Sequence, residues 1–497
     1  MRRIVNIVNF VRGIEPRWEM DLYTPVVEQI KCNKEFGIGN TFLLQYDAMV
    51  RKDFQDLFLR ERDENMELGV WFENCRELIE GVGLVWRGRE GYDWDWYADV
   101  GFLPGYTQQE RQKIIDEVFR LFKELFGCYP QVAGSWLMDA WSMDYMCQTY
   151  GIKAFCLCRE QYAVDAYTLW GGYFNGGYYP SKNNMLCPAQ RAENQIPAPV
   201  FRMLMPDPIY SYEEKEYNGN TVWTLEPAWK CGSDGPIVDW YFDTYYQTPC
   251  LTHAHATTGQ ENSFGIGLLE GYRMQVHKLT ELQKQGLLSI QKIGDTGAWY
   301  QQQFEQSAAN AQVALEDWRQ EGRKSIWYNC KNYRANLFLE DGRLFFRDLT
   351  KFDDRYRERY LEEPCAGWIA TYDNLPVVNY RLWSTEQTES ILSLSKQVTE
   401  LAASELSDTV LSVQAVFADG TQGQILFAPE GVTFRNCPDL LYCWGKPGEQ
   451  TKLTFGNNKL QALHNGFAYE VPIDGQLALQ PDGALLQPKN GQLVLKF

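Results

Sequence analysis

The sequence predicts an α/β protein, a distorted (β/α)7 barrel over residues 1–325 followed by a C-terminal antiparallel β-sandwich over residues 326–497. Two observations carry the barrel. Apolar runs at Ile4 to Val11, Thr41 to Tyr46 and Leu68 to Phe72 alternate with stretches of helical spacing, and an acid stands at or just beyond the end of each: Glu15, Asp47 and Glu73. Roughly seven such units fit the first 325 residues, enough to close or nearly close a barrel. A third observation carries the second part. From Trp327 onward the dipeptides Asp341-Gly342, Asp419-Gly420, Asp474-Gly475, Asp482-Gly483 and Asn490-Gly491 separate short alternating runs, which is hairpin chemistry.

The elements follow in order. The first strand runs into the loop Arg12-Gly-Ile-Glu15-Pro-Arg17, the second ends at Asp47, and Phe54, Leu57 and Phe58 then share one helix face. Between Val85 and Tyr106 a long loop interleaves Trp86, Tyr92, Trp94, Trp96 and Tyr97 with Asp93 and Asp95, and loops of that length in compact domains commonly carry function. Thr107 and Glu110 form a capping box. Ile114, Ile115, Val118, Phe119, Phe122, Leu125 and Phe126 supply the buried face behind it, and Gly127 ends the helix. The run Gly134 to Ala140 reaches Asp139, either a helix cap or a reactive acid at a strand end. A helix to Tyr150 and a strand over Ala154 to Cys158 come next.

The glycine- and aromatic-rich stretch Tyr167 to Pro180, with Trp170 and Tyr173, has the composition of a binding loop. A short strand starts at Phe201. Pro249 to Ala256 is an apolar run with His253 and His255, leading to Gly259-Gln-Glu261; a helix spans Met274 to Leu282, and Leu287 to Ile290 is the last strand of this layer. Within the second part, Leu392 to Leu406 has a helical composition that interrupts the hairpins.

Composition narrows the function. A 45% apolar share against 23% charged residues marks a folded chain, and the 14% aromatic share leaves rings available as flat walls for sugar faces. A net charge of -18 repels phosphate backbones and anionic lipids, so neither nucleic acid nor a membrane is expected as a partner. The 13 scattered cysteines fit reduced thiols. No secretory signal precedes Phe10 and no run reaches the ~20 apolar residues of a membrane span, so a cytoplasmic protein is expected. Whether the chain forms a homo-oligomer is left open.

The chemistry is reached by elimination. No Gly-rich phosphate loop and no G-x-S-x-G occurs, which removes nucleotide-dependent and serine-hydrolase readings; no cofactor is expected. With only four histidines, a metal site would need His253 and His255, on one face of a strand, plus Asp47, Glu73 or Asp139. What remains is a set of acids at strand ends, Glu15, Asp47, Glu73, Asp139 and Glu261, and glycoside hydrolysis needs two flanking carboxyl groups.

One segment resembles a known family. Ser135-Trp-Leu-Met-Asp139-Ala, with the helix behind it and Gly151-Ile before the next strand, is similar to the W-L-P-E-C segment of glycoside hydrolase family 57, with Asp139 where the family carries its nucleophilic Glu. Gln260-Glu261-Asn-Ser-Phe-Gly265 is similar to the family's D-x-E-x-F-G motif, and Ile14-Glu15-Pro16 stands where the family has H-Q-P. The architecture is also similar to family 38 α-mannosidases and to polysaccharide deacetylases. The deacetylases' Asp and H-x-x-x-H metal ligands would fall near Asp47 and at Val70 to Asn74, where this chain has Trp71-Phe-Glu73-Asn.

The resemblance implies a metal-independent glycoside hydrolase acting on a carbohydrate, with Asp139 as nucleophile and Glu261 as acid/base. Glu15, Asp47, Glu73, His253 and His255 are then expected to contact the sugar, and Trp94, Trp96, Trp170 and Tyr173 to stack on it. The alternatives are a metal-dependent carbohydrate deacetylase or mannosidase-like hydrolase, and a sugar-binding protein without catalysis.

Overall fold

The structure is a computed structural model that describes all residues except 1, 159–160, 164–165, 168–170, 204–206, 211–234, 373, 381–387 and 446–447. Trp170 lies outside the described residues.

Seven parallel strands form the barrel-like sheet: β1 (Arg2–Val11), β2 (Asn40–Leu44), β3 (Met66–Phe72), β4 (Val132–Ser135), β5 (Ala154–Cys158), β6 (Val200–Met203) and β7 (His253–Thr258). Ladders join them in the order β7-β1-β2-β3-β4-β5-β6, and among the described residues no ladder joins β6 to β7, so the wall is nearly closed. From Ile4 to Val11, β1 is buried and apolar on both faces except for Asn6 and Asn9, as a strand covered on both sides must be. Its first half pairs with β7 (Arg2 opposite His253, Ile4 opposite His255) and its second half with β2 (Val8 opposite Thr41). The predicted last strand is a short one, Ser289–Gln291, which pairs with Ile4–Asn6 at the foot of β1.

Helices cover the outside: α1 (Thr24–Phe36), α2 (Gln108–Phe126), α3 (Ala140–Tyr150), α4 (Leu269–Lys284) and α5 (Ile293–Gln303). The expected capping box starts α2. Thr107 accepts from the Glu110 N–H while Glu110 reaches back to the Thr107 N–H, and Gly127 ends the helix in a left-handed conformation. Phe119 and Phe122 on the inner face of α2 join Val70, Phe72, Ala133 and Phe155 in one apolar core.

Two large antiparallel sheets make up the second part of the chain. One begins at Asn310–Ala314, earlier than the expected boundary at residue 326, and continues through Lys324–Asn329, Tyr333–Glu340 and Arg343–Lys351; the other runs from Val398–Ser407 to Gln492–Lys496. Their apolar faces share a core that includes Ile326, Leu337, Phe346, Val413, Phe427, Phe434 and Leu493. The helix expected over Leu392 to Leu406 is two strands, Ser390–Leu394 and Val398–Ser407. Pairing of Val398–Ser407 with Val410–Phe417 overrides the helical propensity of its Leu, Ala and Glu residues. Asp341-Gly342 and Asn490-Gly491 both have positive φ at each residue, the geometry of tight hairpins, whereas Asp474-Gly475 passes the chain from one sheet to the other.

The glycine-rich stretch docks the two parts together. Phe174 stacks on Trp327 at 3.9 Å, its N–H donates to Asn329 Oδ1, and Arg334 donates to the Gly171 and Gly172 carbonyls. Tyr173 is buried there between Tyr178 and Phe352.

Candidate functional site

The carboxyl ends of β1, β2, β3 and β7 bring four of the predicted acids into one cluster, and at its centre is Arg12, the first residue past β1. Arg12 Nη1 lies 2.9 Å from Glu15 Oε2, and its Nη2 lies 3.2 Å from Glu73 Oε2 and 2.8 Å from Glu261 Oε1. Because Glu73 and Glu261 share one nitrogen, those two oxygens lie within about 6 Å of each other. Asp47 stands behind them, accepting from the Ile14 N–H at 3.0 Å. All five side chains are buried.

Local geometry explains how they converge. A side chain at Gly13 would put its first carbon 2.3 Å from the Asp47 carbonyl oxygen, so only glycine lets the loop after β1 lie against the end of β2. Gly259, with φ +151°, passes over the Val8 carbonyl, where a side chain would come within 1.6 Å, and this turns the chain after β7 inward toward Glu261. Asn262 then exchanges hydrogen bonds with the Arg12 backbone, its Oδ1 accepting from the N–H and its Nδ2 donating to the carbonyl.

Electrostatics follow from burial. Burial works against a charged Arg12, yet Glu261, Glu73, Glu15 and Asp47 together hold its guanidinium well above its usual value. Burial pushes Glu73 up to about 7, with Glu261 and Asp47 adding to the rise and Arg12 and Trp71 opposing it. Trp71 Nε1 and Gln45 Nε2 both donate to Glu73, at 3.3 and 2.7 Å; these donors favour the ionised form, but burial and the two neighbouring acids outweigh them. Burial also raises Asp47 to about 6. Burial would raise Glu15 as well, but bonds from Arg17 and the charge of Arg12 bring it below the usual range.

The long aromatic loop covers this cluster. Trp94 lies over Arg12 at 4.3 Å from ring centroid to guanidinium, Arg17 lies over Trp18, Trp94 and Trp96, and Arg89 lies over Trp96 at 4.0 Å. The expected rings Trp94 and Trp96 are thus at the site, held by the chain's own guanidinium groups. Below, Phe10, Trp71 and Trp136 pack together at 4.6 to 5.3 Å and floor the barrel mouth.

Several buried polar atoms in this region have no hydrogen-bond partner in the protein: Arg12 Nε, Gln45 Oε1, Asp47 Oδ1, Trp94 Nε1 and both side-chain polar atoms of Asn74. Each unmade bond costs about 1–3 kcal/mol, so their concentration at one barrel mouth points to a polar ligand.

Asp139 is placed elsewhere. It is the N-cap of α3, its Oδ1 accepting from the Ser142 N–H at 2.9 Å and its Oδ2 from the Ser142 hydroxyl at 2.7 Å. Its charge is met by Arg111 of α2, 2.9 Å from Oδ1. Glu358 caps the same helix from the second part of the chain, accepting from the Ala140 and Met185 N–H groups, and burial with the nearby Asp139 pushes it up to about 8.

His253 and His255 sit at the opposite end of the barrel, at the foot of β7. Both are buried. His253 Nδ1 pairs with the Thr252 hydroxyl and His255 Nε2 with Asn6 Oδ1, and burial lowers them to about 4 and about 3. Neither histidine nor Tyr173 meets the acid cluster.

The residues do not fit the metal of the deacetylases that the architecture resembles. No histidine stands at Asp47 or in Val70 to Asn74, and the point on which the acids converge is filled by a guanidinium. Among the described residues no group of three or more His, Cys, Asp or Glu side chains is arranged to hold a metal ion. Arg12 is the residue that reading the sequence misses, because an arginine in a loop reads as solvent-exposed. The available signal was its position directly after a buried strand, facing acids at three other strand ends.

No protein-family model matches the chain, and no curated protein does. Solved structures do. Polysaccharide deacetylases, provisionally so named, from Mycobacterium smegmatis and Pseudomonas aeruginosa align with TM-scores of 0.37, at 11% and 12% identity, each over 61% of this chain and 91% and 92% of theirs. A protein from Parabacteroides distasonis, provisionally named a glycoside hydrolase/deacetylase, aligns with a TM-score of 0.58 at 13% identity, over 77% of this chain and 92% of its own. None of the three is named as a family 57 protein, so that resemblance stands on the quoted residues alone. No helix is long and apolar enough to cross a membrane, among the described residues. This chain, an α/β barrel-like sheet followed by antiparallel sheets, is thus similar in fold, over most of its length, to the Parabacteroides protein.

Proposed function

We propose that this chain is a carbohydrate-active enzyme that hydrolyses a glycosidic bond with two carboxyl groups, Glu73 and Glu261. The observation that carries this reading is their common contact with Arg12 Nη2, which keeps their nearest oxygens within about 6 Å. That bound is short of the ~6.5–9.5 Å separation of inverting glycosidases and leaves room for the ~5–5.5 Å of retaining ones. Glu73, at about 7, can carry a proton at neutral pH and give it to the glycosidic oxygen as the C–O bond breaks, while Glu261 bonds to the anomeric carbon. Water then releases the sugar from Glu261 and returns a proton to Glu73. Of the pair first expected, Glu261 is kept, as nucleophile rather than acid/base. Glu73 takes the other place, because Asp139 commits its oxygens to Ser142 and Arg111. The name of the Parabacteroides protein supports a carbohydrate substrate.

A panel of aryl glycosides tests it. The wild type is expected to turn over at least one, and Glu73→Gln and Glu261→Gln to lose about 10²–10⁴-fold with unchanged folding. Full activity in both variants overturns the pairing.

A second reading has an observation behind it. Glu73 has no solvent exposure and Arg12 already neutralises much of the cluster, which suits a sugar-binding protein without catalysis. Saccharide binding by a wild type that turns over nothing on the panel would favour it.

A further inference from the structure

We propose that the barrel mouth continues along the surface as a saccharide-binding strip, from Trp18 across the aromatic loop to Trp368 and the cleft beside it, and that its ligand is a neutral sugar chain of several units. This names the substrate class of the site read above and rests on the carbohydrate part of that reading. Among the described residues, Trp18 and Trp368 are the two exposed tryptophans, at 52% and 45%, and they stand on segments far apart in the sequence. Both belong to one run of contacts. The Arg17 guanidinium lies 4.4 Å from the Trp18 ring and 5.5 Å from the Trp96 ring, Trp96 meets Tyr97 at 6.3 Å, and Tyr97 meets Trp368 at 6.1 Å. Trp96 and Tyr97 are half-buried, whereas Trp94, which closes over Arg12, is buried, so the run leads outward from the acids. Exposed apolar side chains scattered singly need no explanation; two tryptophans at the ends of one aromatic run beside a buried acid cluster mark a ligand groove.

The strip is built, and it ends in a cavity. The Ala98 and Asp99 N–H groups donate to the Trp368 and Gly367 carbonyls, which makes one surface of the aromatic loop and residues 367–368. Gly367 and Ile369, on either side of Trp368, line a cleft of about 480 Å³ together with Arg359, Glu362, Glu363 and Thr371, a size suited to a small polar ligand. Flat rings fit the apolar faces of sugars, and the carboxylates and hydroxyl of the cleft can bond to sugar hydroxyls. Arg17 and Arg89, the guanidinium groups along the run, are committed to Glu15 at 2.6 Å and Asp95 at 2.9 Å, and the net charge is -18, which favours a neutral chain over an acidic one.

Full-length wild type and Glu73→Gln, in which bound chains are not cleaved, are probed on an array of neutral oligosaccharides of graded length, and Kd is measured by calorimetry for the hexasaccharide and the disaccharide of the linkage bound best. The hexasaccharide is expected to bind about tenfold tighter than the disaccharide. In the Glu73→Gln background, Trp18→Ala and Trp368→Ala are each expected to weaken the hexasaccharide by about tenfold and the disaccharide by less than twofold, with Trp18→Tyr and Trp368→Tyr, which keep a ring, recovering most of the loss. Binding to no member of the array overturns the proposal, as does equal affinity for the two lengths or an unchanged hexasaccharide Kd in both alanine variants. The length comparison needs no tryptophan variant, so it stands if one misfolds. A wild type that prefers the hexasaccharide and turns over no aryl glycoside supports the strip and removes the hydrolytic reading; one that cleaves aryl glycosides without preferring longer chains overturns the strip alone.

Discussion

Arg111 of α2 and Asp139 of α3 form an ion pair of 2.9 Å in which neither side chain is more than 1% exposed. Arg111 also donates to the Leu103, Pro104 and Tyr360 carbonyls, so one guanidinium ties α2 and α3 to the loop before α2 and to the second part of the chain. Removing half of a buried pair leaves the other charge unmet, at about 3–5 kcal/mol. Arg111→Ala is expected to lose about that much stability in urea unfolding. Asp139→Asn is expected to lower the melting temperature while leaving activity per folded molecule within about threefold. A loss of about 10⁴-fold at unchanged stability would instead return Asp139 to the role of nucleophile.

The raised acids set a pH dependence of stability. Asp47, Glu73 and Glu358 stand at about 6, 7 and 8, above their usual values near 4, because burial disfavours their charge. The folded chain therefore binds protons that the unfolded chain has released. The stability these groups contribute is complete below about pH 4 and is lost as pH rises through 6 to 8. Glu15, Asp317 and Asp353 are lowered; buried as they are, hydrogen bonds outweigh burial, and the stability they give is lost instead below about pH 4. His253 and His255, lowered to about 4 and about 3, take up protons on unfolding below about pH 6.5 and so cost stability toward pH 4; a melting temperature that falls from pH 6 toward pH 8 is expected in calorimetry, with net proton release on unfolding at pH 7.5. Proton uptake at that pH would contradict the raised values.

Activity has its own pH limb. If Glu73 donates the proton, kcat/KM on an aryl glycoside falls as pH rises through about 7. The fall should flatten for substrates whose leaving group needs no protonation, such as a dinitrophenyl glycoside. An identical limb for both leaving groups would assign the titration to another group.

Trp94 is the ring that closes the cluster. Trp94→Ala removes a buried aromatic side chain and a cation–π contact of 4.3 Å with Arg12, a loss of about 3–5 kcal/mol. Trp94→Phe, which keeps a ring in place, is expected to recover more than half of it. Equal destabilisation by the two variants would show that the indole fills space without acting on Arg12.

Much of the barrel was legible because its signals are local. The capping box at Thr107 and Glu110, the left-handed glycines at 127 and 151, and the acids after β2 and β3 are each set by neighbours within a few residues. The two-strand fold of Leu392 to Leu406 was not legible, since it depends on a partner at Val410–Phe417 that outweighs local propensity. The site was half legible. Acids at strand ends could be listed, but which ones meet depends on the barrel's closure, and it is the pairing of β7 with β1 that sets Glu261 beside Arg12. His253 and His255 show the converse: they share a strand with the approach to Glu261 but stand at the strand's other end.

The segment Glu358 to Tyr372 bears on how such a chain can change over evolutionary time. Its residues cap α3 through Glu358, accept from Arg111 at Tyr360, donate from Tyr372 to the Met138 carbonyl, and hold the aromatic loop through the Ala98–Trp368 and Asp99–Gly367 backbone bonds. Modules that shuffle between proteins meet along thin, replaceable seams. Here the second part of the chain supplies structural members of the first, so the two halves are constrained to be inherited together, and a transplanted barrel would arrive with its mouth unbraced.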